Sequence, residues 1–140
     1  MYVVDASVWV SRFVPPDVHY APSYRWLQAV INRGELIASP AVMLPEVAGA
    51  ISRRTGRFGP AARAVELLGQ LPNLRLVVVD AALAGLAAGL AGRLRLKGAD
   101  SLYVALAERA GFTLVTWDQE QLERAGAVTP AITPQEAPAG

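Results

Sequence analysis

Residues Phe112-Thr113-Leu114-Val115-Thr116-Trp117-Asp118 form a short apolar and β-branched run that stops at an acid. Phe112–Thr116 is continuous rather than alternating, the pattern of a strand covered on both faces. The pattern recurs at Tyr2–Val4, Glu35–Ser39 and Leu74–Val79. Between these runs lie stretches with helical character: Ser7–Phe13, Pro22–Arg33, Pro40–Thr55, Pro60–Leu71, Ala81–Leu94, Ala99–Ala110 and Gln119–Arg124. Trp26, Leu27, Val30 and Ile31 share a helical face that Gly34 ends, and Pro60 suits a first helical turn. Strands alternating with helices pair in parallel through crossovers, so the expected fold is α/β: a three-layer α/β/α sandwich around a central, mostly parallel sheet. One domain is expected over residues 1–130. A Pro-rich, fraying tail is expected over 131–140, with room for one short edge strand at its start.

The chain has 140 residues, enough to bury a real core without staples. Its 53% hydrophobic and 18% charged composition excludes a disordered chain. The absence of Cys removes disulfide frameworks, thiolate zinc sites, iron–sulfur clusters and cysteine nucleophiles. A single histidine, His19, removes mechanisms that need two. The net charge of +1 conceals a bias toward Arg, with Lys97 the lone lysine. Arg forks onto phosphate with two parallel hydrogen bonds, which admits a phosphate-bearing partner; the bias also fits genomic base composition. The N-terminus Met1-Tyr2-Val3-Val4-Asp5 carries no basic leader, and Ala81–Gly92 is too short to span a bilayer. A cytoplasmic protein without membrane contact is expected.

The placement of the acids is the informative feature. Asp5 ends the first strand and Asp118 follows the fourth, and ligands of open α/β sheets bind beyond such strand ends. Asp100 starts a helix in Lys97-Gly98-Ala99-Asp100-Ser101-Leu102-Tyr103, and Glu46 lies early in another, in Met43-Leu44-Pro45-Glu46-Val47-Ala48. Each has a plainer reading: Asp5, Asp100 and Asp118 as helix caps or dipole partners, Glu46 as a surface residue pairing with Arg53 or Arg54. Asp80 also follows an apolar run and precedes a helix, and reads as a simple cap. Gathered together, the four would suit a hard cation such as Mg²⁺ or Mn²⁺. Without one they would repel each other and raise at least one pKa.

The opening Val3-Val4-Asp5-Ala6-Ser7-Val8, the segment Leu44-Pro45-Glu46-Val47, the helix Gly98-Ala99-Asp100-Ser101-Leu102-Tyr103-Val104-Ala105-Leu106-Ala107, and Leu114-Val115-Thr116-Trp117-Asp118 together resemble the PIN domain. Within that family the chain resembles the VapC-like ribonuclease toxins of toxin–antitoxin pairs. The resemblance implies that Asp5, Glu46, Asp100 and Asp118 form a Mg²⁺ or Mn²⁺ site. Asp5 and Asp100 would make the central contacts and Asp118 a direct or water-mediated one. Glu46 would ligate through water or orient the attacking water. It implies hydrolysis of single-stranded RNA to a 5′-phosphate and a 3′-hydroxyl, a homodimer, and inhibition by a small antitoxin. Ser7 and Thr116 match hydroxyl positions flanking that site, and both also read as local capping hydroxyls.

Arg53, Arg54 and Arg57 form a basic cluster that reads either as an RNA phosphate contact or as a solvated helix end complementing its dipole. Trp117 stands before the final Asp, where the family often has a smaller residue, and is placed at the RNA-facing rim. Trp9, Phe13, Tyr24, Trp26 and Leu27 read as core, with a dimer face or antitoxin groove as alternatives, and His19 as a loop residue without a catalytic task. Two other functions compete: a catalytically silent PIN-fold binding or dimerisation module, and a phospho-receiver domain. The receiver needs an acidic pair after the first strand and a Lys after the last; Asp5-Ala6-Ser7 and the position of Lys97 supply neither.

Overall fold

Five short parallel strands and seven helices make up the structure, a computed structural model that describes residues 1–138. In chain order they are β1 (Tyr2–Val4), α1 (Ala6–Phe13), α2 (Tyr20–Asn32), β2 (Ile37–Pro40), α3 (Met43–Thr55) and α4 (Phe58–Gln70). Then follow β3 (Leu74–Val77), α5 (Ala81–Leu94), α6 (Gly98–Ala110), β4 (Thr113–Val115), α7 (Gln119–Ala125) and β5 (Ala131–Ile132). The strand order is β3-β2-β1-β4-β5 and every pairing is parallel. The expected α/β sandwich is therefore the observed one. From β1 the chain builds outward through β2 and β3, then returns to the other side of β1 with β4. That reversal leaves a crevice beyond the carboxyl ends of β1 and β4.

The centre of the sheet is apolar because those strands are covered on both faces. Val3, Val4, Ile37, Leu114 and Val115 are all fully buried. Helix α6 contacts β1, β2 and β4 and buries Tyr103, Val104, Ala105 and Ala107 completely. Full burial of one such Val or Leu contributes about 1.5–3 kcal/mol. Trp9, Trp26 and Leu27 are core residues, as expected from their helical spacing, whereas Tyr24 is partly exposed, with the Arg12 guanidinium 4.0 Å from its ring centroid. Gly111 ends α6 at φ +70°, a left-handed turn that glycine adopts without steric cost and that sends the chain directly into β4.

Two expectations need correction. Leu74–Val79 is not a strand covered on both faces. It ends at Val77 on the sheet edge, Arg75 is exposed, and Leu76 and Val78 are 40% and 73% exposed. An edge strand has one neighbour, so its apolar run overstates its burial. The tail carries the short edge strand expected at its start but does not fray after it. Ala131 and Ile132 pair with Leu114 and Val115, and Ala137 is buried. Residues 139–140 of the expected tail lie outside the described residues. Strand β2 starts at Ile37 rather than Glu35, and helices α2 and α4 each begin two residues before their prolines. Among the described residues no helix is long and apolar enough to cross a membrane.

Candidate active site

Strand β1 runs straight into Asp5, and β4 runs into Thr116, Trp117 and Asp118. Val4 and Val115 are register partners, and the Asp5 N–H donates to the Val115 carbonyl at 3.0 Å. The two strand ends therefore deliver their acids side by side. The first turn of α6 brings Asp100 and the first turn of α3 brings Glu46. All four carboxylates line one cavity of about 560 Å³, at the crevice where the strand order reverses.

Asp5 is 4% exposed and held by three donors. Its Oδ2 accepts from the Ser7 N–H and from Thr116 Oγ1, both at 3.1 Å, and its Oδ1 accepts from Gln121 Nε2 at 3.1 Å. Thr116 Oγ1 also accepts from the Asp118 N–H at 3.0 Å, and Ser7 Oγ lies 3.4 Å from it. The Thr116 proton is committed to Asp5, so in that contact Ser7 is the donor. A chain of hydroxyls thus runs from Ser7 through Thr116 to Asp5. Ser7 Oγ in turn accepts from the Trp117 N–H at 3.0 Å. Asp118 Oδ1 accepts from the Gln121 N–H at 2.9 Å, capping α7 while its carboxylate lines the cavity. For Asp5 and Asp118 the capping and cavity readings hold together.

Glu46 makes no ion pair with Arg53 or Arg54; its Oε1 accepts a 2.5 Å hydrogen bond from the Tyr103 hydroxyl. Burial and the nearby Asp5 hold the Glu46 carboxyl above its usual range although that bond opposes them. Burial, then the charges of Asp5, Asp118 and Glu46, push Asp100 up to about 6, against the opposing pull of Lys97. Burial, then Glu46, pushes the Tyr103 hydroxyl up, so it stays a donor. A raised carboxyl among carboxylates in a cleft is the electrostatic pattern of a site that gains from a cation. The donor set is all oxygen, which suits Mg²⁺ or Mn²⁺ and not a soft metal. Among the described residues no three Asp, Glu or His side chains already stand as a closed cage. Asp5 spends both carboxylate oxygens on protein donors, Glu46 and Asp118 one each, and a bound cation would have to draw the set inward.

Basic and aromatic residues line the same cavity. Arg53 and Arg54 line the cavity; Arg57 does not, and sits at the N-cap of α4. Arg54 Nη1 pairs with Asp17 Oδ2 at 2.6 Å. Burial raises Asp17, but the His19 N–H and Arg54 outweigh it and hold that carboxyl below its ordinary range. His19 occupies the N-cap position of α2, lines the cavity and stacks on Trp117. Asp80 caps α5 through the Leu83 N–H at 2.8 Å and stays outside the cavity, as a plain cap should.

Gln121 and Tyr103 are the contributors that sequence reasoning missed. Tyr103 carries a signal, since it stands three residues after Asp100 on one helical face. Gln121 carries none: in Gln119-Glu120-Gln121 nothing marks the second Gln as fully buried against an acid 116 residues away.

The sequence matches the PIN domain family over residues 2–128. No sequence match to a curated protein was found. Among solved structures, the fold is similar to that of VapC20 from Mycobacterium tuberculosis, a sarcin–ricin loop cleaving toxin. There the TM-score is 0.74 at 19% identity, covering 85% of this chain and 91% of that one. FitAcB from Neisseria gonorrhoeae is similar at TM-score 0.72 and 18% identity, over 98% and 100% of the two chains. VapBC2 from Rickettsia felis, bound to a DNA fragment from its promoter, is similar at TM-score 0.71 and 16% identity, over 94% and 97%.

Proposed function

The chain belongs to the PIN domain family, and from that premise we propose that it is a metal-dependent endoribonuclease, the toxin of a toxin–antitoxin pair. The observation that supports this reading best is the meeting of Asp5, Glu46, Asp100 and Asp118, from four separate segments, in one cavity. So acidic a cluster weakens the fold unless a cation compensates it, which makes a purely structural purpose a poor account of it. Asp5, Asp100 and Asp118 would hold Mg²⁺ or Mn²⁺, and Glu46 would ligate through water or orient the attacking water. A cation there supplies an activated water at neutral pH and offsets the charge that develops on the phosphate.

The residues of the chain do the rest. Ser7, Thr116 and Gln121 hold the Asp5 carboxylate in one orientation, so little reorganisation is left for the reaction. Glu46 keeps a proton-accepting oxygen beside the one that Tyr103 engages. The Arg53 guanidinium, in the same cavity, meets phosphate. Hydrolysis leaves a 5′-phosphate and a 3′-hydroxyl on single-stranded RNA. A small antitoxin and a homodimer complete the proposal.

Purified protein freed of any partner is expected to cleave single-stranded RNA with Mg²⁺ or Mn²⁺ and to stop in EDTA. Asp100→Asn is expected to stop it with the circular dichroism spectrum unchanged. Undiminished cleavage by that variant overturns the assignment, and inactivity of the wild type under every divalent condition favours the silent binding module.

A further inference from the structure

We propose that the stacked rings of His19 and Trp117 are the seat of an unpaired nucleobase, with Arg53 meeting the phosphate beside it. The proposal rests on the ribonuclease reading and identifies how that site takes its strand.

The two rings lie 3.8 Å apart with an 8° angle between planes, and both line the cavity that holds the four acids. Neither is a core residue; each is half-buried at the cavity wall. Trp117 immediately precedes Asp118, so the stack stands next to the acids.

The stack is braced from behind. Trp117 Nε1 donates to Ser23 Oγ at 2.8 Å, and Ser23 Oγ lies 2.7 Å from Ser11 Oγ, both serines being buried. The His19 backbone N–H donates to Asp17 Oδ1 at 2.7 Å, which holds the main chain beneath the ring, and Asp17 is tied to Arg54. A Trp117 ring tied by its own N–H, with His19 stacked on it, loses little freedom when a base lands on the pair. Flat aromatic faces are how proteins take unpaired RNA, and stacking tolerates any base.

Arg53 completes the seat. A Cβ added at Gly49 would lie 3.3 Å from Arg53 Nη1, so the guanidinium folds back across Gly49 along α3. Unlike Arg54 it has no ion-pair partner among the described residues. An acidic cavity by itself repels a polyanion; a free guanidinium and a flat aromatic surface in the same cavity supply the attraction it lacks.

The test uses the whole chain in EDTA, where cleavage is off, and a fluorescein-labelled single-stranded oligoribonucleotide read by anisotropy. His19→Ala and Trp117→Ala are each expected to weaken binding about ten-fold, and Trp117→Phe to keep most of it. A ribose-phosphate strand without bases is expected to bind wild type and His19→Ala equally. His19→Ala keeps the Trp117–Ser23 bond, so the test survives even if Trp117→Ala folds poorly. Unchanged affinity of His19→Ala for the oligoribonucleotide, or an equal loss on the base-free strand, overturns the seat. A wild type that cleaves in Mn²⁺ while these variants bind normally defeats the seat alone; a wild type that never cleaves defeats the ribonuclease reading.

Discussion

Replacing Asp100 by Asn should make the metal-free protein more stable at neutral pH, not less. Asp100 is pushed from 3.8 to about 6 by burial and by Asp5, Asp118 and Glu46. In full, that rise corresponds to about 3 kcal/mol against the charged form. The carboxylate partly faces solvent, and screening reduces the figure to about 1 kcal/mol. The folded-state pKa lies above the unfolded one, so the stabilising contribution is complete below pH 3.8 and is lost as pH rises through about 6. Asn carries no such penalty. In EDTA at pH 8, Asp100→Asn should therefore melt about 3 °C above wild type, and the gap should close toward pH 4. Saturating Mn²⁺ should reverse the order, because a ligand at a hundred times its Kd adds about 2.7 kcal/mol to a protein that binds it. Thermal melts followed by circular dichroism at the two pH values, with and without Mn²⁺, measure all of this. A variant less stable than wild type at pH 8 in EDTA, or a gap that does not change with pH, would refute the electrostatic account of the cluster.

Three further outcomes are expected. Gln121→Leu removes the donor to Asp5 Oδ1 and should weaken Mn²⁺ binding about 10- to 100-fold by isothermal titration calorimetry; unchanged affinity would show that Gln121 does not position Asp5. Tyr103→Phe removes the hydrogen bond that favours charged Glu46, so the Glu46 pKa rises further and the acid limb of the cleavage pH profile should move to higher pH. Asp80→Ala deletes the α5 cap outside the cavity, which should cost about 1 kcal/mol in urea denaturation and leave the cleavage rate as it was.

Much of the site is legible in the chain because its acids sit where topology, not packing detail, delivers them. A strand that ends at Asp5 and another that ends near Asp118 meet once the sheet is parallel with β1 beside β4. The position of Glu46 follows less directly, since the plainer pairing with Arg53 or Arg54 suits its spacing equally well. What excludes that pairing is the Tyr103 hydroxyl, brought across from α6. Arg54 is likewise taken up by Asp17, a partner 37 residues away. The edge position of β3, and which strand the short one expected near residue 131 would pair with, were hidden because strand order depends on long-range contacts that no local pattern carries.

From its residues alone the chain determines its alternation of strands and helices, the all-oxygen donor set, and the absence of any Cys or second His to do the chemistry instead. Those properties are written in residue type and short-range period. Only the tertiary structure decided which groups share the cavity. It put Arg53 in the cavity of the acids, the buried Gln121 on Asp5, and His19 flat upon Trp117. Asp5 and Gln121 stand 116 residues apart in the chain, and such geometry comes from how the strand ends and helices pack rather than from any pattern along the chain.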